Sequence, residues 1–181
     1  MLDEERFFKN IELWSRSQPK KAFFLQYHEN DSVTFCQTEG GELNIQKKKA
    51  EISFCLHDDK SAQEEADRWF MELNLRHAEV IYVYGVGLGY YYEAAMSWLR
   101  SNEKRTIVFL EDDPTVLHRF LQTERATAML KDKQARLILF DDLKDWEEIF
   151  EGLYWDFVLT QMTVSALQSY NKYKVFDYED L

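Results

Sequence analysis

Cysteine is scarce in this 181-residue chain: Cys36 and Cys55 stand alone, with no C-x-x-C pair. His28, His57, His77 and His118 are scattered and show no H-E-x-x-H spacing. Together these absences argue against a zinc site or a cysteine nucleophile and for thiols held reduced. No stretch approaches the roughly 20 apolar residues a membrane-spanning helix needs. The start, Met1-Leu2-Asp3-Glu4-Glu5-Arg6, lacks the basic and apolar regions of a secretory signal, so a cytoplasmic location is expected. Basic charge is short as well. Twenty-two Lys and Arg against 33 Asp and Glu give a formal charge of −11, which repels phosphate backbones and anionic lipid, so neither nucleic acid nor membrane is expected as a partner. Only two prolines and six glycines punctuate the chain, and it holds no internal repeat or low-complexity run.

What is abundant is apolar and aromatic mass. Hydrophobic residues make up 45% of the chain and include 13 Phe, 10 Tyr and 5 Trp, enough for one well-packed domain with a small appendage. Residues 1–60 read as a helical and hairpin region. Phe7, Phe8, Ile11 and Trp14 form an apolar stripe, and a second short helix begins at Ala22-Phe23-Phe24-Leu25. Val33 to Thr38 and Leu43-Asn44-Ile45 flank a Gly40-Gly41 turn, and Lys47-Lys48-Lys49 reads as a solvated strand edge. Residues 61–181 change texture. Ser61-Ala62-Gln63-Glu64 is a capping box, followed by Ala62, Ala66, Trp69, Phe70 and Leu73 on one helix face. Strands are then expected at 79–84, 106–110, 136–140 and 154–159. Helices are expected at 90–100, from Pro114, around Trp146 to Leu153, and at Val164, Leu167 and Tyr170. Four alternations of strand and helix require crossover connections. The expected fold is therefore α/β: a Rossmann-like parallel half-sheet of about four strands with helices on both faces, preceded by a small α+β region.

One segment bears on chemistry. Tyr84-Gly85-Val86-Gly87-Leu88-Gly89-Tyr90 lies between an expected strand and an expected helix, where a tight turn and bare helix-terminal N–H groups suit an anionic or ribose-bearing ligand. Glu111 closes the next strand and stands where an acid in this topology accepts ribose hydroxyls. The expected cofactor-binding set is Gly85, Gly87, Gly89, Tyr90, Glu111 and Asp112. Tyr90, Tyr91 and Tyr92 could shelve a base, although one or two of them belong in a core. The competing structural reading gives the glycines to close helix-to-sheet packing and Asp113 to the cap of the helix at Pro114. Glu111-Asp112-Asp113 as a divalent-metal motif is disfavoured because capping already accounts for Asp113, and no metal site is expected. His57 with Asp58 and Asp59 reads as a loop rather than an acid–base site.

Two cofactor families fit the glycines incompletely. A dinucleotide fingerprint wants its third glycine at the sixth position, which here is the bulky Tyr90, so NAD is disfavoured. The G-x-G-x-G pattern with a strand-end acid resembles S-adenosylmethionine-dependent methyltransferases. Those usually carry an acid two residues before the first glycine, where this chain has Val83. Taken further, Val83 to Tyr90, Ile107 to Pro114, Leu56-His57-Asp58-Asp59 and Glu64-Glu65-Ala66 resemble the amino-terminal part of motility accessory factor proteins over about residues 40–165. That resemblance implies the amino-terminal Rossmann-like domain of a glycosyltransferase-like protein that attaches nonulosonic sugars to flagellin, with a nucleotide-sugar ligand and a downstream catalytic domain. S-adenosylmethionine, from the glycine pattern, is the runner-up ligand, and self-association through an exposed sheet edge is the other partner expectation. This chain lacks the family's Gly-Pro-Ser-Leu turn, so it is not expected to be catalytic alone. The remaining alternatives are an interaction module without ligand and a degenerate methyltransferase-like fold. Every ligand reading requires the amides of residues 85–89 to face an open cavity with the Glu111 carboxylate on its rim.

Overall fold

The computed structural model describes residues 4–28, 32–49, 52–140 and 162–173. Helix α1, Glu4–Ser15, buries Phe7, Ile11 and Trp14 at i, i+4 and i+7, while Phe8 falls off that stripe and is exposed. After the break at Gln18, Pro19 opens α2, Pro19–Gln26, which buries Ala22 and Leu25 and leaves Phe23, Phe24 and Tyr27 in solvent. Strands β1, Val33–Gln37, β2, Leu43–Lys49, and β3, Ile52–Cys55, form an antiparallel sheet in that order. The β1–β2 hairpin turns through Gly41, whose φ of 83° suits glycine. Lys47-Lys48-Lys49 therefore lies on the middle strand rather than at an edge, and Lys47 reaches across to pair with Asp113.

Among the described residues the second sheet is parallel throughout. It runs β6–β5–β4–β7, where β4 is Val80–Tyr84, β5 Thr106–Glu111, β6 Ala135–Leu139 and β7 Met162–Ala166. Counted from β4, the strand order is 3-2-1-4, that of a doubly wound sheet, so the chain reverses its direction of growth between β4 and β7. Alternation along the strands divides the core. Ile81, Val83, Ile107, Phe109, Leu137 and Leu139 join one large cluster, whereas Val80, Tyr82 and Val108 form a smaller cluster on the opposite face. The large cluster also takes in Phe7, Val33, Ile45 and Leu56, so the amino-terminal elements share the α/β core.

Helices α3, Ala62–Glu72, α4, Tyr90–Arg100, α5, Pro114–Phe120, and α6, Glu124–Lys131, flank the sheet. Their starts obey capping chemistry. The hydroxyls of Ser61 and Thr123 accept from Glu64 N and Ala126 N, and Asp113 accepts from Thr115 N and Val116 N. The expected α/β architecture with a preceding hairpin region is thus observed. A second assignment changes as well: Val164 lies in strand β7, not in a helix, and the last helix among the described residues, α7, is Gln168–Tyr173. The i, i+3 spacing of Val164, Leu167 and Tyr170 straddles a strand end and a helix start, and branched Thr163 and Val164 favour the strand. The expected strand at 154–159 and helix at 146–153 lie outside the described residues. Among the described residues, no helix is long and apolar enough to cross a membrane.

Asn10, buried on α1, donates to the Leu121 and Thr123 carbonyls and accepts from the Thr127 hydroxyl, which fixes α1 on the α5–α6 corner. The neighbouring contact is titratable. The His118 ring lies 4.2 Å from that of Phe7, and burial, then the Arg119 charge, push its pKa down from 6.5 to about 4. The folded state therefore binds this proton less readily than the unfolded chain. Its stability should fall as pH drops from about 6.5, with the loss complete below about 4. Urea midpoints measured across that window should decline less in His118→Phe than in the wild type.

Candidate functional site

Strand β4 delivers the chain into the glycine loop, where Gly85, Gly87 and Gly89 take φ values of 91°, 52° and 82°. This is left-handed backbone that residues with a side chain rarely adopt. Four of the five amides of residues 85–89, which the nucleotide reading needs bare, are engaged within the protein. Gly85 N donates to Leu110 O at 2.8 Å and Gly89 N to Val86 O at 3.0 Å. Val86 N donates to Glu111 Oε2 and Leu88 N to His57 Nε2, each at 3.0 Å. Side chains close the remaining space. A methyl group on Gly85 would lie 2.8 Å from the Tyr170 ring, one on Gly87 would lie 2.5 Å from His57 Nε2, and one on Gly89 would lie 2.8 Å from the Phe120 ring.

Glu111 is fully buried, and its carboxylate is the hub of this junction. Besides Val86 N, it accepts from Asp112 N at 3.1 Å, Asp113 N at 2.9 Å and the Tyr170 hydroxyl at 2.7 Å. Four donors of this kind are what make a buried carboxylate tolerable. Burial first, and then the Glu111 charge, push the Tyr170 phenol well above its ordinary pKa, so it remains a hydrogen donor. Asp112 accepts from Tyr84 Oη at 2.5 Å. Asp113 caps α5 and pairs with Lys47. Burial alone would raise its pKa, but Lys47 and the Thr115 hydrogen bonds outweigh that and hold it below the ordinary carboxylate range.

Tyr90, Tyr91 and Tyr92 are all core. Their hydroxyls reach Leu43 O at 2.7 Å, Glu65 Oε1 at 2.9 Å and Asp132 Oδ2 at 2.8 Å, and Arg125 stands 3.9 Å over the Tyr90 ring. The structure brings Gly85, Gly87, Gly89, Glu111 and Asp112 together around one turn. Tyr90 sits on the neighbouring helix end, turned toward β2.

His57, read from the sequence as a loop residue, is the side chain that occupies the underside of the loop. Because Leu88 N–H donates to Nε2, that nitrogen carries the lone pair and the imidazole hydrogen resides on Nδ1. Nδ1 faces Glu65 Oε2 at 3.5 Å, too long for a full hydrogen bond, and has no such partner among the described residues. Glu65 in turn accepts from Asp58 N at 2.6 Å. One signal could have exposed this pair: Glu65 is a carboxylate on the face of α3 that also carries Ala62, Ala66 and Trp69. Beside the two residues lies a hollow of about 300 Å³ lined by Cys55, His57, Asp58, Asp59, Glu65, Gln168 and Ser169, with β3 residues at its wall. Burial first, then the Asp59 carboxylate, push the Cys55 thiol up to about 12, so it is no nucleophile at neutral pH. Among the described residues, no group of three His, Cys, Asp or Glu side chains could hold a metal ion.

No family model and no curated protein matches the chain. Among solved structures it is similar to MnmC2 from Aquifex aeolicus, at 16% identity and a TM-score of 0.40, over 81% of this chain and 59% of that one. Likeness at this level assigns no activity. The expected membership of the motility accessory factor family, with its glycosyltransferase-like function, is corrected: no model of that family matches, and the structural likeness found is to a different protein. The motif resemblance rested on glycines, a strand-end acid and a capping proline. This junction uses those residues to join β4, α4 and β5.

Crowding at the loop is directly testable. Gly87→Ala combines left-handed backbone with a contact against buried His57, whereas Gly41→Ala meets the same backbone strain in open space. Gly41→Ala should cost about 1 kcal/mol and Gly87→Ala at least about 2 kcal/mol more in chemical denaturation. Equal losses would mean that His57 yields freely.

Proposed function

We propose that this chain is a Rossmann-like binding domain whose small-molecule site is the hollow beside the glycine loop, with the loop itself serving as a packed structural junction. The observation that carries this reading is where the hollow lies. It is bordered by Gln168 and Ser169, just past the carboxyl end of β7, whose Ala166 pairs with Tyr84 of β4 where the strand order reverses. Crevices at such switch points are where doubly wound sheets hold ligands. Polar groups converge on it. Ser169 Oγ, on a residue only 8% exposed, lacks a partner among the described residues, and His57 Nδ1 is in the same position. Buried polar atoms without partners are costly, and a polar ligand that bonds them removes the cost. The two thiols, 3.8 Å apart and unjoined, fit a reducing, cytoplasmic compartment.

A second reading has one observation in its favour. Glu111 holds the position from which an acid accepts ribose hydroxyls, and it already accepts a hydroxyl, that of Tyr170. A degenerate S-adenosylmethionine-type site would need the nucleoside to displace the Tyr170 ring.

A single amide-resolved NMR titration separates the two readings, using small polar fragments and S-adenosylhomocysteine as probes. The first predicts fragment-induced shifts clustered at residues 55–59 and 168–169. Shifts confined to 85–89 and 111–113 with S-adenosylhomocysteine would replace it with the second.

A further inference from the structure

Resting on that placement of the site, we infer that the ligand is a small organic cation, an amine bearing one or more ammonium groups. Three lining side chains are carboxylates, Asp58, Asp59 and Glu65, and among the described residues no Lys or Arg lines the hollow. The basic group closest to them in the ion-pair network is Arg68, whose Nη2 stands 3.8 Å from Asp58 Oδ2 on a side chain 57% exposed, where water screens most of its charge. Glu65 is only 2% exposed, and its hydrogen-bond donors among the described residues, Tyr91 Oη and Asp58 N, are neutral. His57 adds no full positive charge, because its Nε2 is committed as an acceptor. The lining is therefore anionic in a partly desolvated setting, where an incoming cation gains more than it would at an open surface.

The remaining lining residues fit the same chemistry. Ser169 Oγ and the Gln168 side chain can accept from ammonium hydrogens. At about 300 Å³ the hollow lies at the small end of the range for ligand sites, which suits a short di- or triamine and excludes a dinucleotide. An anionic ligand would meet three carboxylates with no basic lining residue among the described ones to oppose them.

The test is calorimetric titration of the full chain with spermidine, with citrate as the anionic probe and glycerol as the neutral one, in 150 mM sodium chloride to screen diffuse attraction to the −11 charge. Saturable spermidine binding is expected, weakened about threefold in Asp59→Asn and also weakened in Ser169→Ala. Asp59 is exposed, so its variant should fold, and amide spectra confirm this for both. Glu103→Gln, on an exposed turn far from β3 in sequence, should leave the affinity unchanged. Spermidine binding that is insensitive to both hollow variants, or equally sensitive to Glu103→Gln, would mean diffuse attraction and overturn the inference. Binding of citrate or glycerol with amide shifts at residues 55–59 and 168–169, without spermidine binding, would overturn the cation class and keep the site. Silence from all three probes, together with failure of the fragment titration, would remove the site itself.

Discussion

A carboxylate taken wholly out of water has to be surrounded by donors, and the fold is arranged around one that is. Glu111 at the end of β5 accepts from the β4–α4 loop, from its own following turn and from the ring of α7. Removing any of these donors would leave a buried charge poorly compensated, at a cost of roughly 1–3 kcal/mol or more. The same constraint fixes the path of the loop. Val86 N must point down at Glu111, Leu88 N must point at His57, and the glycines between take left-handed backbone that lets the chain make both turns.

His57 extends this junction to the amino-terminal sheet. Its backbone is clamped by Asn44, whose side chain donates to the His57 carbonyl and accepts from its amide, so β2 places the imidazole under the loop. Tyr90 makes the reverse connection, from α4 to the Leu43 carbonyl. The small sheet thus locks onto the α/β layer at the loop, and the space that remains lies to one side, between β3, the Asp58–Asp59 turn and the start of α7. Packing the amides and displacing the cavity are two results of the same pair of side chains.

Much of this architecture was legible in the sequence because it rests on local periodicity. The β4, β5 and β6 strands, the Gly-Gly hairpin, the capping box at Ser61 and the cap at Asp113 follow from alternation and turn chemistry acting over a few residues. The cluster of Gly85, Gly87, Gly89, Glu111 and Asp112 was legible too, because strand ends and the following turns meet at one edge of a parallel sheet. What the pattern could not carry was occupancy. A glycine loop reads the same whether its amides face solvent or a histidine from 31 residues upstream, and the Glu111 to Tyr170 contact spans 59 positions. Strand β7 was obscured for a related reason, since Val164, Leu167 and Tyr170 imitate a helix across a strand-to-helix boundary. The family resemblance failed at the same point, because it matched residue types and could not see which side chains fill the turn.

Hydrogen exchange at the Val86 and Leu88 amides examines the central claim most directly. With Glu111 and His57 as their acceptors, both should be strongly protected in the protein alone, and adding a nucleotide such as uridine diphosphate should change neither rate. Fast exchange of both amides that slows on nucleotide addition would show the loop to be an open anion cradle and contradict the account.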